Sequence, residues 1–598
     1  MKDCYSKRLK KMKKLKNFES IVNLALNKMY QGKVLPNKLV SLNKTIKCKV
    51  KNSDEMPSEG DVAVKITKIS LPANVECQYV PGTFELEEEN YDIGKIYISD
   101  VGRTFDLNAK IVQIIQTSGP TLFTLFDGSG SIKSKHFIGA GKRAFPELNE
   151  NDVIRAKIQI TERDGRLEAE LLSFKKLEDS KQEKFILKVQ SLKDEKARPK
   201  DVDFLINSEI LVKLKPKIIE VATQIKKAIL EHRPIILRHH ADTDGYAGAI
   251  ALERAILPLI VKQHNDEKAA WFYYKRGPSK APFYELVDVT KDLAFALSDV
   301  ARHGRKIPLI VLVDNGSTEE DILAIEKAKI YGAPVVVVDH HYPGIVKDGK
   351  VKVDEYLDAH ANPYLVGGDN NLTAGMLAVE VSRFVNPNVK GVEYLPALAG
   401  VGDRSKGAEM DQYLALSGYD VETLREIGTC IDFEAHYLRF VEARIYVDDL
   451  LGADKEKQKK LVALATKEIA RRVKEQMKVI KHFVKVTEGE TILAELPATS
   501  VGFRGDFPAA GRITGMCHDY VCEQHPGKGV VTLGIGPDFL TIRANDNVNN
   551  FNINLIIDKM KEVIPYGFID GGGHEHAGTI KCVEAVLDEV LEFVRKSL

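Results

Sequence analysis

A chain of 598 residues is too long for one hydrophobic core, and 44% apolar with 29% charged content describes globular material. With 86 basic against 85 acidic residues the net charge is +1, which excludes a uniformly basic coat; any polyanion site must come from local charge segregation. Seven scattered cysteines, no uncharged apolar run of membrane-spanning length and no apolar stretch near the N-terminus predict a cytoplasmic protein with no disulfide framework and no membrane partner.

Residues 1–16 carry eight Lys or Arg against one Asp. This run reads as a solvated helix face or as a grip on nucleic acid, and residues 1–40 are taken as a basic helical segment. Short alternating runs follow: Val62, Val64 and Ile66 share one face, as do Val75, Cys77 and Tyr79. They suggest a small β-barrel, complete or incomplete, over 41–92.

From 93 to 178 the pattern is that of five strands broken by Gly-rich turns. Ile154, Ala156, Ile158 and Ile160 fall on one face, and Asp164-Gly165 signals a hairpin. Five strands with this spacing suit an OB-fold, which binds single strands on an open face; a purely structural barrel is the alternative. Residues 179–230 are charge-rich and read as linker or exposed helix.

From Pro234 strands alternate with helices, the pattern of an α/β domain with a doubly wound parallel sheet, assigned to 231–451. A basic helix over 452–484 has an apolar stripe, Leu461, Ala465, Ile469, Val473 and Met477, and joins it to a smaller α/β domain at 485–598.

The chemistry is concentrated where predicted strands end. After PIILR come His240, Asp242 and Asp244, with Gly245 permitting a tight turn; after PLIVLV comes Asp314; after VVVV come Asp339, His340 and His341. Asp403 follows a helical stretch. In a doubly wound sheet such tips converge on one edge, where ligands bind. Carboxylates at that density repel one another and need cations to stay ionised. Two divalent metals meet that need and drive in-line phosphoryl transfer.

Three other motifs have competing readings. Cys517, His518, Cys522 and His525 lack the spacing of a standard zinc knuckle, and their segment reads as helix. Trp271, Phe272, Tyr273 and Tyr274, followed by Lys275-Arg276, are either a core strand or a surface for stacking on bases. No G-x-x-x-x-G-K-[ST] is present, so nothing indicates a nucleotide-driven motor.

HADTDG at 240–245, the Asp of VDNGS at 314, DHH at 339–341, HANP at 360–363, the Asp of GVGDR at 403 and GGGH at 571–574 together resemble the DHH phosphoesterases. With an OB-like module in front, the likeness is nearest to archaeal RecJ-like single-strand exonucleases. The resemblance implies a DHH domain followed by a DHH-associated C-terminal domain, and two divalent ions, Mn²⁺ or Mg²⁺. His240, Asp242 and Asp314 would hold one ion; Asp244, Asp314, His340 and Asp403 would hold the other, with a hydroxide between them as nucleophile. It implies that His341 contacts the scissile phosphate and that Asp339 orients a histidine. Gly571, Gly572, Gly573 and His574 would cradle a phosphate as a loop, with Arg543 as a further substrate contact. Arg512 is as readily a surface arginine, and His239 a mere neighbour of the site. The C-terminal signature departs from the family in being one small residue shorter before Gly578.

The function so implied is hydrolysis of single-stranded DNA or RNA in repair or replication, the OB module feeding strand to a site between the two α/β lobes. Alternatives are an oligoribonuclease or dinucleotide phosphodiesterase, and a replisome scaffold contacting other replication proteins.

Overall fold

The computed structural model describes residues 29–35, 39–42, 46–55, 57, 61–70, 74–79 and 90–598, apart from 164–165, 265, 280, 440, 504 and 550. The chain divides into two compact units, Met1–Tyr91 and Asp92–Leu598. The basic run at 1–16 and the Asp164-Gly165 turn lie outside the described residues.

In the first unit, β1 (Met29–Leu35), β2 (Leu39–Leu42), β3 (Ile46–Val50), β4 (Asp61–Ser70) and β5 (Asn74–Tyr79) close into a barrel in the order β1-β2-β3-β5-β4. Val62, Val64, Ile66 and Cys77 fill its interior, as their period-2 spacing requires. The barrel is closed, and one expectation changes: it begins before residue 41, with β1 and the start of β2, because β1 must pair with β4 to complete the ring. Parallel pairing of β3 with β5 also brings Cys48 and Cys77 together as a disulfide. Among the described residues it is the one crosslink, which scattered cysteines did not announce.

The second unit opens with a barrel of the same strand order. β6 (Thr104–Gln116), β7 (Thr121–Phe126), β8 (Ser131–His136), β9 (Val153–Arg163) and β10 (Arg166–Lys176) close as β6-β7-β8-β10-β9, with β8 and β10 parallel. Helix α1 (Asp179–Ala197) packs Phe185 and Val189 on Phe126 and Val153 of this barrel. Helix α2 (Glu209–Leu230) instead buries Leu211, Leu214, Ile218, Val221, Ala222 and Ile225 in the core of the next domain. Of the two readings of the charge-rich stretch the helical one holds, and its two helices pack on different domains, as their buried residues show.

The next domain has an all-parallel sheet, order β12-β11-β13-β14-β15, from β11 (Ile235–His240), β12 (Tyr274–Ser279), β13 (Leu309–Val313), β14 (Val335–Val338) and β15 (Ala359–Ala361). Intervening helices include α3 (Thr243–His264), α4 (Leu286–His303) and α5 (Ile322–Ile330); α6 (Ala374–Val385), α7 (Leu395–Gly402) and α8 (Val421–Leu438) follow. Both faces are covered, by one core around Leu237, Val311 and Val336 and another around Ile310, Leu312 and Val335. This is why β13 and β14 are unbroken apolar runs. The strand order reverses direction between β11 and β13, and ligands bind at such switch points.

Helix α9 (Lys455–Phe483) leads to a six-stranded sheet, order β16-β17-β18-β19-β21-β20. Its strands are β16 (Lys485–Thr487), β17 (Thr491–Leu496), β18 (Gly529–Ile535), β19 (Phe539–Ala544), β20 (Asp570–His574) and β21 (Ala577–Lys581), flanked by α10 (Ala510–Gln524), α11 (Ile553–Val563) and α12 (Leu587–Ser597). Among the described residues no helix is long and apolar enough to cross a membrane.

The second barrel docks on the amino edge of the parallel sheet. Gln113 donates to the His303 carbonyl at 3.0 Å, Ser131 to that of Gln263 at 3.2 Å, and Lys193 pairs with Glu231 at 2.6 Å. Val112, Gln113 and Thr124 line a crevice against Glu231, His232, Tyr273, Gly304, Arg305 and Lys306, all of which precede β11, β12 or β13. Six residues of strand, roughly 20 Å, separate this edge from the carboxyl tips. The barrel therefore does not adjoin those tips, as direct feeding of a strand would require.

Candidate metal centre

Each predicted tip is shaped by local chemistry. β11 ends on His240, and Asp242 starts α3 by accepting the Gly245 N–H at 3.0 Å on its side chain and the Tyr246 N–H at 3.0 Å on its carbonyl. Asp244 thus lies in the first helical turn rather than in a loop. Gly245 is needed for close approach, not for a turn: a Cβ there would lie 2.2 Å from the His240 carbonyl oxygen. After β13, Asp314 has φ 58°, a left-handed conformation uncommon outside glycine and held here at a buried position. Asp403 is the residue that ends α7.

These residues meet. Nδ1 of His240 lies 2.7 Å from Asp242 and 3.4 Å from Asp314. Nε2 of His340 lies 3.2 Å from Asp403, 3.4 Å from Asp314 and 3.6 Å from Asp244. Both Asp314 carboxylate oxygens and His340 Nε2 are buried without a hydrogen bond. Buried polar atoms are rarely left so, and three of them converging on one point fit a bound cation. The sets His240–Asp242–Asp314 and Asp244–Asp314–His340 each offer ligand atoms within 4.8 Å of one another. Oxygen and imidazole donors of this kind suit Mg²⁺, Mn²⁺ or Zn²⁺.

Outer partners fix the donors. His340 Nδ1 donates to the Asn370 carbonyl at 2.8 Å, which aims Nε2 at the carboxylates. Asp244 accepts the N–H groups of Ala374 and Gly375, at 3.0 and 2.9 Å, at the start of α6. Asp339 accepts from His341 Nδ1 at 2.8 Å and from the His340 and His341 backbone N–H groups. Asn362, in the HANP segment, donates to the His341 carbonyl and to Ser317, both at 3.0 Å. Asn370 also meets His574 Nδ1 with its side-chain amide at 3.3 Å; it lay in no motif that the sequence singled out.

Burial, reinforced by Asp314, raises the carboxyls of Asp242 and Asp244 above the usual range. Burial acts the same way on Asp314, but the approach of His240 and His340 outweighs it and holds that carboxyl well below the range. Asp339 is drawn down to about 2 by His341 against the same burial. His240 and His340 are raised well above the ordinary value: burial opposes their charge, and the carboxylates overcome it. The protein on its own neutralises the cluster with imidazolium, the role a divalent cation would take over.

The C-terminal lobe reaches the same place. The His574 ring stacks on His341 with centroids 4.9 Å apart, and its Nε2 lies 3.6 Å from Asp403. Arg543 faces Ala577, which faces His574, in register across β19, β21 and β20. This brings Arg543 to the same end of the sheet, with a buried, unpartnered Nε. The glycines correct the loop reading, because Gly571 to Gly573 lie in a strand. Gly571 and Gly573 have φ 152° and 146°, and a Cβ on either would meet a β21 carbonyl oxygen at 2.2 or 2.4 Å. Packing against β21 accounts for them. Arg512 approaches Asp432 at 3.6 Å; Asp432, raised to about 6 by burial and by Asp242, carried no motif.

His239 is buried away from the tips, its ring nitrogens meeting the His240 carbonyl and Arg276. Cys517 packs in an apolar core and His518 bonds Thr532 within α10 and β18, which leaves no zinc cluster there. The aromatic run is split. Ala269–Phe272 is a helical turn with Trp271 and Phe272 exposed, and only Tyr274 begins the strand.

Residues 234–378 match the model of the DHH family, N-terminal domain. An uncharacterized protein of Methanocaldococcus jannaschii is 44% identical over 552 residues, covering 86% of this chain and 72% of the relative. The solved DHH domain of a member of the s1p family of ribosomal proteins is similar over 70% of this chain and 99% of its own, at 42% identity and TM-score 0.67. RecJ from Thermus thermophilus, solved in complex with Mn²⁺, is 16% identical over 67% of this chain and 56% of its own, with TM-score 0.46.

Proposed function

This chain belongs to the DHH family, and on that footing we propose that it is a metal-dependent phosphodiesterase removing nucleotides from the ends of single-stranded nucleic acid, a RecJ-like exonuclease. The observation that carries the reading is the buried Asp314 carboxylate, unpartnered and shared between two ligand sets at neighbouring strand tips. In this reading His240, Asp242 and Asp314 hold one divalent ion, and Asp244, Asp314, His340 and Asp403 the other. Divalent ions so held supply positive charge to the phosphodiester and lower the pKa of attacking water.

The chain's own groups do the rest. Asp339 fixes the plane of His341 and favours its protonated form, in which the remaining Nε2–H is available to donate to a phosphate oxygen. His574 and Arg543 enter from the other lobe and grip a second phosphate, which gives preference for a strand end. All six proposed ligands are present, which favours an enzyme over a scaffold that has lost its chemistry.

RNA is the second reading of the substrate. The similar structure belongs to a ribosomal-protein family by its own description, and both barrels here share one strand order. Incubation of end-labelled single-stranded DNA and RNA, each labelled at either end, with Mn²⁺ or Mg²⁺ tests both. Mononucleotide release from one end supports the exonuclease. Cleavage of dinucleotides alone would make the protein a small-substrate phosphodiesterase, and no cleavage with full metal occupancy would leave a scaffold.

A further inference from the structure

Three aromatic rings stand exposed around the amino end of β12: Trp271 at 57%, Phe272 at 52% and Phe295 at 61%. Each has a cation against its ring. The Arg444 guanidinium lies 4.4 Å from the Trp271 centroid, Arg305 5.1 Å from Phe272, and the Lys275 ammonium 4.0 Å from Phe295. The two guanidinium groups are themselves largely buried and anchored. Arg444 donates to the carbonyls of Ala270 and Tyr274, at 3.2 and 3.1 Å, and to Glu442 at 2.9 Å; Arg305 donates to Asp299 at 2.8 Å.

The rings are therefore backed from inside by fixed charges while much of their surface faces solvent. Asp299 is one helical turn beyond Phe295 on α4, so Arg305 ties Phe272 to that ring. The strip adjoins the second barrel, whose Lys133 pairs with Asp266 just ahead of Trp271. Exposed Lys268 and Arg302 flank it.

We propose that Trp271, Phe272 and Phe295 form a nucleobase-stacking strip that continues the barrel's surface along the amino edge of the sheet and holds single-stranded nucleic acid away from the metal centre. The proposal rests on the nucleic-acid reading above. Every base offers a π-face, and a ring already held by a cation has little freedom left to lose on stacking. Flanking lysine and arginine match the phosphates between bases. Burial in a core strand, the other reading of this run, applies only to Tyr274.

Trp271 is the only tryptophan of the chain, so its emission reports this site alone. Full-length protein in chelator, where nothing is hydrolysed, is titrated with labelled oligo-dT or oligo-rU of about 20 nucleotides, anisotropy and tryptophan emission being read together. The expected result is quenching that follows the anisotropy curve, with Trp271→Ala and Phe272→Ala each weakening binding about tenfold and Trp271→Phe restoring most of it. Saturating anisotropy with unmoved emission overturns the strip while leaving the exonuclease reading intact. So does wild-type affinity in Phe272→Ala and Trp271→Ala at unchanged melting temperature, which returns the rings to being lids over Arg444 and Arg305. Should Trp271→Ala fail to fold, the wild-type emission and Trp271→Phe decide. If no single strand binds the full chain, the nucleic-acid reading falls together with the strip.

Discussion

At the carboxyl edge of the parallel sheet, Asp314 and His340 keep buried polar atoms without partners. At the amino edge several comparable groups are matched, though Tyr274 Oη and Arg444 Nε are not. His232 meets His264 at 3.3 Å, Lys306 donates to the Glu231 carbonyl at 2.8 Å, and Arg233 to that of Ile307 at 2.6 Å. Both edges bury titratable residues in the same domain, so burial alone does not mark function. Convergence of several charged, unpartnered atoms on one point is the better mark: the amino edge packs in part on a neighbouring barrel, while at the carboxyl edge Asp314 and His340 turn such atoms toward one another.

The strongest way to break this contrast is Asp314→Ala. Hydrolysis should fall by more than the roughly 10–100-fold typical of losing an outer partner of a metal ligand. Calorimetric titration should show loss of both ions, while the metal-free protein still folds but melts lower, because His240 and His340 lose the carboxylate that pairs with them. Near wild-type turnover with full metal occupancy would refute the assignment. Asn362→Ala, which frees the His341 carbonyl and Ser317, should cost about 10–100-fold in activity with folding retained. A change in melting temperature alone would make Asn362 purely structural.

The amino edge answers to pH. Burial lowers His264 to about 4, with Lys133 and Arg305 adding to it and Asp266 opposing; His232 is lowered well below its ordinary value by burial, His264, Lys306 and Lys133. An unfolded histidine titrates near 6.5, so between about 6.5 and 4 the unfolded chain binds a proton that the folded chain refuses. Stability is complete above that window and falls as the pH drops through it, by about 3 kcal/mol for His264 alone. Denaturant titrations at pH 7.5 and 5 measure this, and a His264→Gln variant should flatten the dependence. The smallest effect belongs to the first unit: removing residues 1–91 should leave the melting of the remainder unchanged within about 2 °C, as expected for a separate domain.

Periodicity and strand-end placement made the convergence of the candidate metal-binding residues legible, because His240, Asp314 and His340 sit where apolar runs stop and all strands of the sheet point one way. Other features escaped for physical reasons. Strand β1 lay in the shadow of a charge run, and its role in closing a ring depends on a partner 30 residues away. Helix α2 carried enough charge on its outer face to pass for linker, though Leu211, Leu214 and Ile218 already had helical spacing. The Gly571–Gly573 run reads locally as a loop, since only pairing with β21 makes it a strand. The docking of the second barrel on the far edge has no local signature; it is a property of surfaces that meet only after each domain has folded.

Helix α9 couples the melting of two cores. At 1.5 Å per residue its 29 residues span about 43 Å. Val462, Ala465 and Ile469 are sunk in the core of the parallel-sheet domain, and Ile480 in that of the last domain. Gln458 and Gln476 are each buried and bonded to a backbone carbonyl, of Leu450 and Val501. Neither core can melt without stripping half the apolar stripe from a helix that the other still needs. The two lobes should therefore appear in a calorimeter as one endotherm whose calorimetric and van't Hoff enthalpies agree, and the small first barrel as a separate transition.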